Sequence, residues 1–170
     1  MGKLRMSMKR IIKPGCSEVV FWILHGSIGF VDYSLFPLEL SVVEKLFAMA
    51  DAPLVSRLRQ QFECYNSFWR GGEWRTLEMR RVRFGNVKFP NELKIETEKT
   101  DVRIASMKFK TRRSATLNNA VFHLVNGRFF AVEFGESYKP IRFENSVEVL
   151  EFKLNRELAQ MIKLNPPRQP

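Results

Sequence analysis

The stretch Asn118–Phe134, NNAVFHLVNGRFFAVEF, decides the fold class of this 170-residue chain. Two runs rich in Val, Phe and Leu flank Asn126-Gly127, and both of these residues reach the positive φ angles of a type I′ hairpin turn at little cost. The runs alternate as strands do, and Phe122 and Leu124 share one face. Because apolar residues also occupy the other face, the stretch predicts a central hairpin covered on both sides.

Turn signals rich in Gly, Pro, Asn and Asp divide the rest of the chain. They separate six predicted strands: Trp74–Phe84, Glu92–Glu98, Val102–Lys110, Ala120–Val125, Arg128–Phe134 and Val147–Leu154. Before the strands, Ser41 to Glu44 has the spacing of a capping box and predicts a helix that ends near Ala50. A second amphipathic helix is predicted from Pro53 to about Ser67. Asn155 is suited to cap a short C-terminal helix.

Helices followed by a run of strands indicate an α+β protein. We therefore expect a mainly antiparallel sheet of about six strands, packed against an N-terminal helical pair, with a short C-terminal helix. Residues 37–165 are predicted to form a single domain, and residues 166–170 a tail.

Residues 1–36 are predicted to form a separate segment, because a basic arm at 1–13 precedes an apolar run at 19–31. Two interpretations stay open: short strands at Glu18–Leu24 and Ile28–Tyr33, or a poorly ordered leader. The apolar run is broken by His25, Gly26 and Gly29 and is too short to span a bilayer, so no membrane partner is expected.

The composition, with 45% hydrophobic and 27% charged residues, is that of a globular protein. Cys16 and Cys64 are far apart in the sequence and match no metal-binding spacing, so we expect a reducing, cytoplasmic location. No phosphate-binding loop, nucleophile elbow or HExxH motif occurs in the sequence. We therefore predict no cofactor and no metal, and the sequence identifies no catalytic residue.

Tryptophan and arginine side chains cluster around Gly71-Gly72, where the second helix is predicted to meet the sheet. The candidate binding residues are Trp69, Arg70, Trp74 and Arg75. Trp and Arg are enriched at the energetic centres of protein interfaces, and the same side chains also stack on nucleic-acid bases. The alternative is that both Trp side chains pack the helix onto the sheet, with the arginines lying over their rings.

The formal net charge of +10 is concentrated in part of the chain, since residues 70–113 carry thirteen basic and six acidic side chains. The block 75–113 is a candidate nucleic-acid-binding surface, formed by Arg80, Arg83, Lys108, Lys110 and Arg112. Lys108, Lys110 and Arg112 occupy alternating positions, so they are predicted to share one face of a strand. Cross-strand pairing with Glu96 and Glu98 is the structural alternative.

Three functions remain open at this point. The favoured one is a non-enzymatic module that binds another protein, because catalytic motifs are lacking and Trp and Arg cluster in one segment. The alternative is a nucleic-acid-binding protein. The third is an enzyme whose residues converge only in the fold, in a pocket that encloses His123 or Glu133.

Overall fold

The computed structural model describes residues 20–24, 27–84, 86–114, 116–158 and 160, with side chains from Asp32 onward. The two long helices are α1 (Pro37–Met49) and α2 (Ala52–Glu63). The strands are β1 (Val20–Leu24), β2 (Ser27–Asp32), β3 (Ser67–Gly71), β4 (Thr76–Arg80), β5 (Val82–Arg83), β6 (Asn86–Val87), β7 (Asp101–Thr111), β8 (Asn118–Val125), β9 (Arg128–Phe134) and β10 (Val147–Leu154). Single 3-10 turns occupy Asn91–Leu93 and Lys139–Ile141. Residues 156–158 and 160 are helical.

Eight of the strands form one antiparallel sheet in the order β1-β2-β3-β4-β9-β8-β7-β10, and β5 and β6 form a separate hairpin. The predicted α+β class and antiparallel sheet are confirmed. Six of the eight strands follow the helices, and β2 joins them through its pairing of Val31 with Trp69. The basic arm at 1–13, the turn at His25-Gly26 and the tail at 166–170 lie outside the described residues.

The helices cover one face of the sheet and form the core with it. Phe47 and Phe62 from the helices meet Phe129 of β9, with ring centres 6.3 and 6.5 Å away. The other face of the β8–β9 hairpin is more open, because His123 is only partly buried and Glu133 is exposed. The hairpin turn is as predicted, but the second face is only partly covered, with Ala131 buried, His123 half-buried and Glu133 exposed.

Two helix boundaries differ from those predicted. Helix α1 begins at Pro37, four residues before Ser41. Its N-cap residue is Phe36, whose amide donates a hydrogen bond to the Glu39 carboxylate. Helix α2 ends at Glu63, and the segment that continues its apolar spacing is strand β3. Pairing of β3 with β4 satisfies the backbone of this segment through the sheet and overrides the helical periodicity.

Two predicted strands are also corrected. Residues 92–98 form no strand, since a 3-10 turn at Asn91–Leu93 is followed by irregular chain. The predicted strand Trp74–Phe84 is divided into β4 and β5, and its first residues belong to the turn between β3 and β4. In that turn Glu73 and Trp74 have positive φ angles of 57° and 68°, which a strand does not allow.

Candidate functional site

A buried ion pair supports the region around the predicted Trp/Arg cluster. Arg70 lies on the helix-facing side of β3, where its Nε donates to Oε1 of Glu39 at 2.6 Å and its Nη2 donates to Oε2 at 2.7 Å. The same carboxylate accepts a hydrogen bond from the Tyr138 hydroxyl at 2.6 Å and one from the Phe36 amide at 2.8 Å. The network therefore joins β3, the start of α1 and the segment after β9.

The charges in this network are set by burial and by each other. Burial alone lowers the pKa of Arg70, but the hydrogen bond and the charge of Glu39 more than offset it, and the net pKa is raised. Burial, followed by the charge of Glu39, raises the pKa of Tyr138. Arg70 therefore stays cationic and Tyr138 stays protonated, and Arg70 is committed to a structural role inside the protein.

An aromatic–cation surface lies over this network. We define it by Phe36, Trp74, Lys139, Arg142 and Phe143. The guanidinium carbon of Arg142 is 4.3 Å from the ring centre of Phe143, 5.7 Å from Trp74 and 5.9 Å from Phe36. Nζ of Lys139 lies 5.9 Å from the Trp74 ring centre. These distances are within the range of cation–π attraction.

The aromatic rings of this surface are held in place by one another and by the backbone. Trp74 lies 5.6 Å from the Phe36 ring and 5.7 Å from the Tyr138 ring, and the Tyr138 amide donates to the Trp74 carbonyl at 3.1 Å. Phe143 meets Phe36 edge to face at 5.6 Å and remains 61% exposed. A partner would therefore meet a preorganised surface with one protruding ring.

The cations of this surface are not neutralised by any carboxylate of the described residues. Among the described residues, no Asp or Glu oxygen lies within 4.0 Å of the charged nitrogens of Lys139 or Arg142. Arg142 instead donates from Nη1 to the Lys139 carbonyl at 2.5 Å. The surface can therefore accept carboxylates or other anions beside an apolar ring.

The four candidate residues of the Trp/Arg cluster are separated by the fold. Trp74 belongs to the aromatic–cation surface, Arg70 is buried beneath it, and Arg75 is exposed next to it. Trp69 lies on the opposite face of β3, where its ring covers Gly71 so closely that a Cβ there would be 2.2 Å from it. Arg80 lies over the same ring at 5.6 Å.

Four members of this surface were not predicted from the sequence: Phe36, Lys139, Arg142 and Phe143. Lys139, Arg142 and Phe143 share one signal, the mixture of cations and rings in the segment 138–143, YKPIRF, and Phe36 lies outside that segment. The proximity of that segment to Trp74 depends on the fold.

The predicted basic stripe is divided between distant parts of the sheet. Arg80 ends β4 and is paired with Glu78 at 2.5 Å. Lys108 and Lys110 are on β7, which is separated from β4 by β8 and β9, or about 14 Å at about 4.8 Å per strand. Cross-strand pairing aligns Glu78 with Ala131, Ala131 with His123, and His123 with Arg103. Arg80 lies on one side of this row, and Lys108 and Lys110 lie on the other. Arg80 is therefore at the opposite end of the sheet from these two lysines.

The remaining members of the basic block differ in their surroundings. Lys108 is neutralised by Glu151 at 2.6 Å, whereas Lys110 and Arg112 are exposed. Arg83 lies in the β5–β6 hairpin with its guanidinium carbon 5.5 Å from the Phe84 ring centre.

His123 lies between two carboxylates on the open face of the sheet. Its Nδ1 is 3.2 Å from Asp101 Oδ1, and its Nε2 is 3.3 Å from Glu133 Oε2. The carboxylates approach opposite sides of the ring, so the three groups do not converge on one point. No set of three or more metal-binding side chains with suitable geometry occurs in the described part of the chain. A cavity of about 500 Å³ near Met49 and Phe152 includes neither His123 nor Glu133.

Comparisons of the chain with protein-family models, with curated proteins and with solved structures find no match. Within the described ranges, no helix has the length and the apolar character needed to cross a membrane.

Proposed function

We propose that this chain is a non-enzymatic binding module whose aromatic–cation surface holds an acidic segment of a partner protein. The observation that supports the proposal is the position of Arg142 between the rings of Phe36, Trp74 and Phe143, with no carboxylate of the described chain to neutralise it. Carboxylates of the partner would pair with Arg142 and Lys139, and an apolar side chain would pack on the exposed ring of Phe143.

The composition and rigidity of the surface favour a protein ligand. Trp and Arg anchors surrounded by ordered, partly buried rings are typical of protein hot spots. Because Trp74 and Phe36 are already packed, little side-chain entropy is lost when a partner binds. The basic stripe predicted for nucleic acid is split between opposite ends of the sheet, which leaves this surface as the stronger basis for a function.

A selection from a displayed library of random 12-residue peptides tests the proposal without a known partner. We expect the full chain to enrich peptides that combine Asp or Glu with an apolar or aromatic residue. Arg142→Ala should weaken binding of the enriched peptides by about tenfold or more, the scale of a hot-spot truncation of about 1.4–2 kcal/mol. Lys45→Ala, which removes the same charge from the exposed side of α1, should bind like the wild type.

Affinity purification from the native host, with and without nuclease, extends the test to the natural partner. Retention of partner proteins after nuclease treatment, and their loss with Arg142→Ala, would agree with the proposal. Enrichment of the same peptides by wild type and Arg142→Ala would contradict it. Nuclease-sensitive recovery of every partner would also contradict it, because it would assign the interaction to nucleic acid.

A further inference from the structure

The β5–β6 hairpin carries a second candidate site, which does not depend on the proposed function. We propose that this hairpin binds single-stranded nucleic acid, with the ring of Phe84 stacking on a base and the neighbouring cations contacting phosphates. This site, the hairpin tip, consists of Arg81, Arg83, Phe84, Val87 and Lys88.

The ring of Phe84 is exposed to solvent, and its backbone conformation is unfavourable for a bulky residue. Its side chain is 90% exposed, and its backbone has a φ angle of 51°. Asn, Asp and Gly adopt this conformation readily, whereas a bulky side chain is strained there. The ring touches Arg83 but is not part of the hydrophobic core. An aromatic residue at this position therefore does not stabilise the fold, whereas it would allow stacking on a ligand.

The base of the hairpin is anchored, so the tip projects from a fixed support. The side chain of Asn66 pairs with the backbone of Val82 in both directions, accepting from its amide at 2.8 Å and donating to its carbonyl at 2.9 Å. The Lys88 amide donates to the Arg81 carbonyl at 3.0 Å. Phe89 then packs against Tyr65, with ring centres 5.8 Å apart.

The charged side chains next to Phe84 in the sequence are all basic. Residues 79–91 contain four basic side chains and no acidic one. No carboxylate of the described residues lies within 4.0 Å of the charged nitrogens of Arg81, Arg83 or Lys88. This distinguishes the hairpin tip from Lys108, which is already paired with Glu151.

A single strand fits this combination better than a duplex or a protein pocket. An exposed ring can stack only on a base that is not already stacked between neighbours, and unpaired cations beside it follow the phosphate backbone. A protein pocket that received Phe84 would have to desolvate the cations around the ring, and each would need its own buried partner.

Fluorescence anisotropy with a labelled 12-nucleotide single strand, as DNA and as RNA, and with the matching duplex tests the stacking contact. The full chain should bind the single strands more tightly than the duplex. Phe84→Asn keeps a residue that tolerates positive φ, so the fold should survive, while affinity for the single strand should fall by about tenfold. Arg142→Ala should bind the oligonucleotides like the wild type, which separates this site from the aromatic–cation surface.

The salt dependence of the same binding tests the phosphate contacts. Arg83→Ala combined with Lys88→Ala should flatten the log–log salt slope by about 1.4, at about 0.7 for each phosphate contact on a single strand. Lys110→Ala combined with Arg112→Ala removes the same charge from another part of the molecule and should leave the slope unchanged.

Three results would overturn the inference. One is no binding of the single strands at low salt. Another is wild-type affinity and slope in the hairpin variants. The third is a slope that flattens only when Lys110 and Arg112 are replaced, because this would move the site to β7 and its following turn.

Discussion

Glu39 and Arg70 are both almost fully buried, and the stability of the region depends on their satisfying each other. The carboxylate accepts four hydrogen bonds, two from Arg70 and one each from Tyr138 and Phe36. Desolvation of two charges is costly, so such a pair is tolerated only when its hydrogen bonds are complete. The pair adds a defined geometry at the start of α1 rather than a large net stabilisation.

Replacing one partner of this pair should therefore lower the free energy of unfolding much more than replacing both. Glu39→Ala should lower the free energy of unfolding by about 3–5 kcal/mol, because the buried Arg70 would keep only the more distant and partly exposed carboxylate of Asp32, 3.9 Å away, as a counter-charge. The double variant Glu39→Leu with Arg70→Met should recover a large part of that loss, since neither charge is then buried. Urea unfolding of the two variants measures the difference, and a double variant as unstable as Glu39→Ala would contradict this explanation.

Trp74 has a structural role in addition to the proposed binding role. Because its ring packs against Phe36 and Tyr138, Trp74→Ala should lower the free energy of unfolding by about 3 kcal/mol, at the lower end for emptying a large aromatic site. Leu117→Ala, at an exposed position, should change it by less than about 0.5 kcal/mol. Thermal denaturation checks both values, and a Trp74 variant as stable as the wild type would remove the packing role.

The Asn126-Gly127 turn is the element that the sequence specifies most completely. Its residues have φ angles of 49° and 74°, and the Gly127 carbonyl accepts bonds from the Ile95 amide at 2.8 Å and from Gln61 Nε2 at 3.0 Å. A Cβ at position 127 would lie 2.3 Å from the Ile95 carbonyl oxygen. The turn thus excludes side chains both by its own conformation and by a backbone packed against it.

Gly127→Val should destabilise the protein by about 1 kcal/mol or more, because a β-branched residue fits positive φ poorly and has no space here. Gly135→Ala is the matched control, since its Cβ would meet Asn119 Cβ at an ordinary 3.5 Å. The midpoints of chemical unfolding compare the two variants. Equal midpoints would show that neither the φ angle nor the Ile95 contact restricts position 127.

The pairing of β7 with β10 includes a charge cluster that should make stability depend on pH. Hydrogen bonds from Lys108 and then Lys153 lower the pKa of Glu151 from 4.5 to about 2. In the unfolded chain this carboxyl takes up a proton near its ordinary pKa, whereas in the folded chain it stays ionised to lower pH. The stabilisation that the ionised Glu151 gives to the folded state is therefore complete above about pH 4.5 and is lost as the pH falls towards 2.

Glu151→Gln should consequently lose less stability than the wild type when the pH is lowered from about 4.5 to 2. Glu148→Gln is the control, because this residue is exposed on the same strand and belongs to no described ion pair. Urea midpoints measured across this pH range would show the difference. If the urea midpoints of the wild type and of Glu151→Gln fell in parallel, the contacts of Glu151 with Lys108 and Lys153 would not stabilise the folded state.

The molecule as a whole carries a net charge of +10, and its surface cations repel one another. Because dissolved ions screen this repulsion, the melting temperature should rise when NaCl is increased from about 0.02 M to about 0.3 M. Lys110→Glu combined with Arg112→Glu lowers the net charge and should reduce that rise. Differential scanning calorimetry makes the comparison, and a melting temperature that falls with NaCl would show that ion pairs outweigh the repulsion.

The fold class was predictable from the sequence because its signals are local. The β8–β9 hairpin follows from an Asn-Gly dipeptide between alternating runs. The apolar spacing predicts α1, although with its start at Ser41, and the apolar stripe with Pro53 predicts α2. Residues that are neighbours in the chain determine such turns and periods. The strand β3 was missed because Trp69 follows Tyr65 at helical spacing, and only hydrogen bonding to β4 favours the extended form.

The sites depend on residues that the sequence keeps far apart. Arg142 lies 68 positions after Trp74, and Glu39 lies 31 positions before Arg70, so no local pattern predicts that they meet. The sequence by itself determined the α+β class, the central turn and the excess of cations. The tertiary structure alone decided which cations are neutralised, buried or exposed, because an ion pair depends on distance in space, which is set by strand order and register.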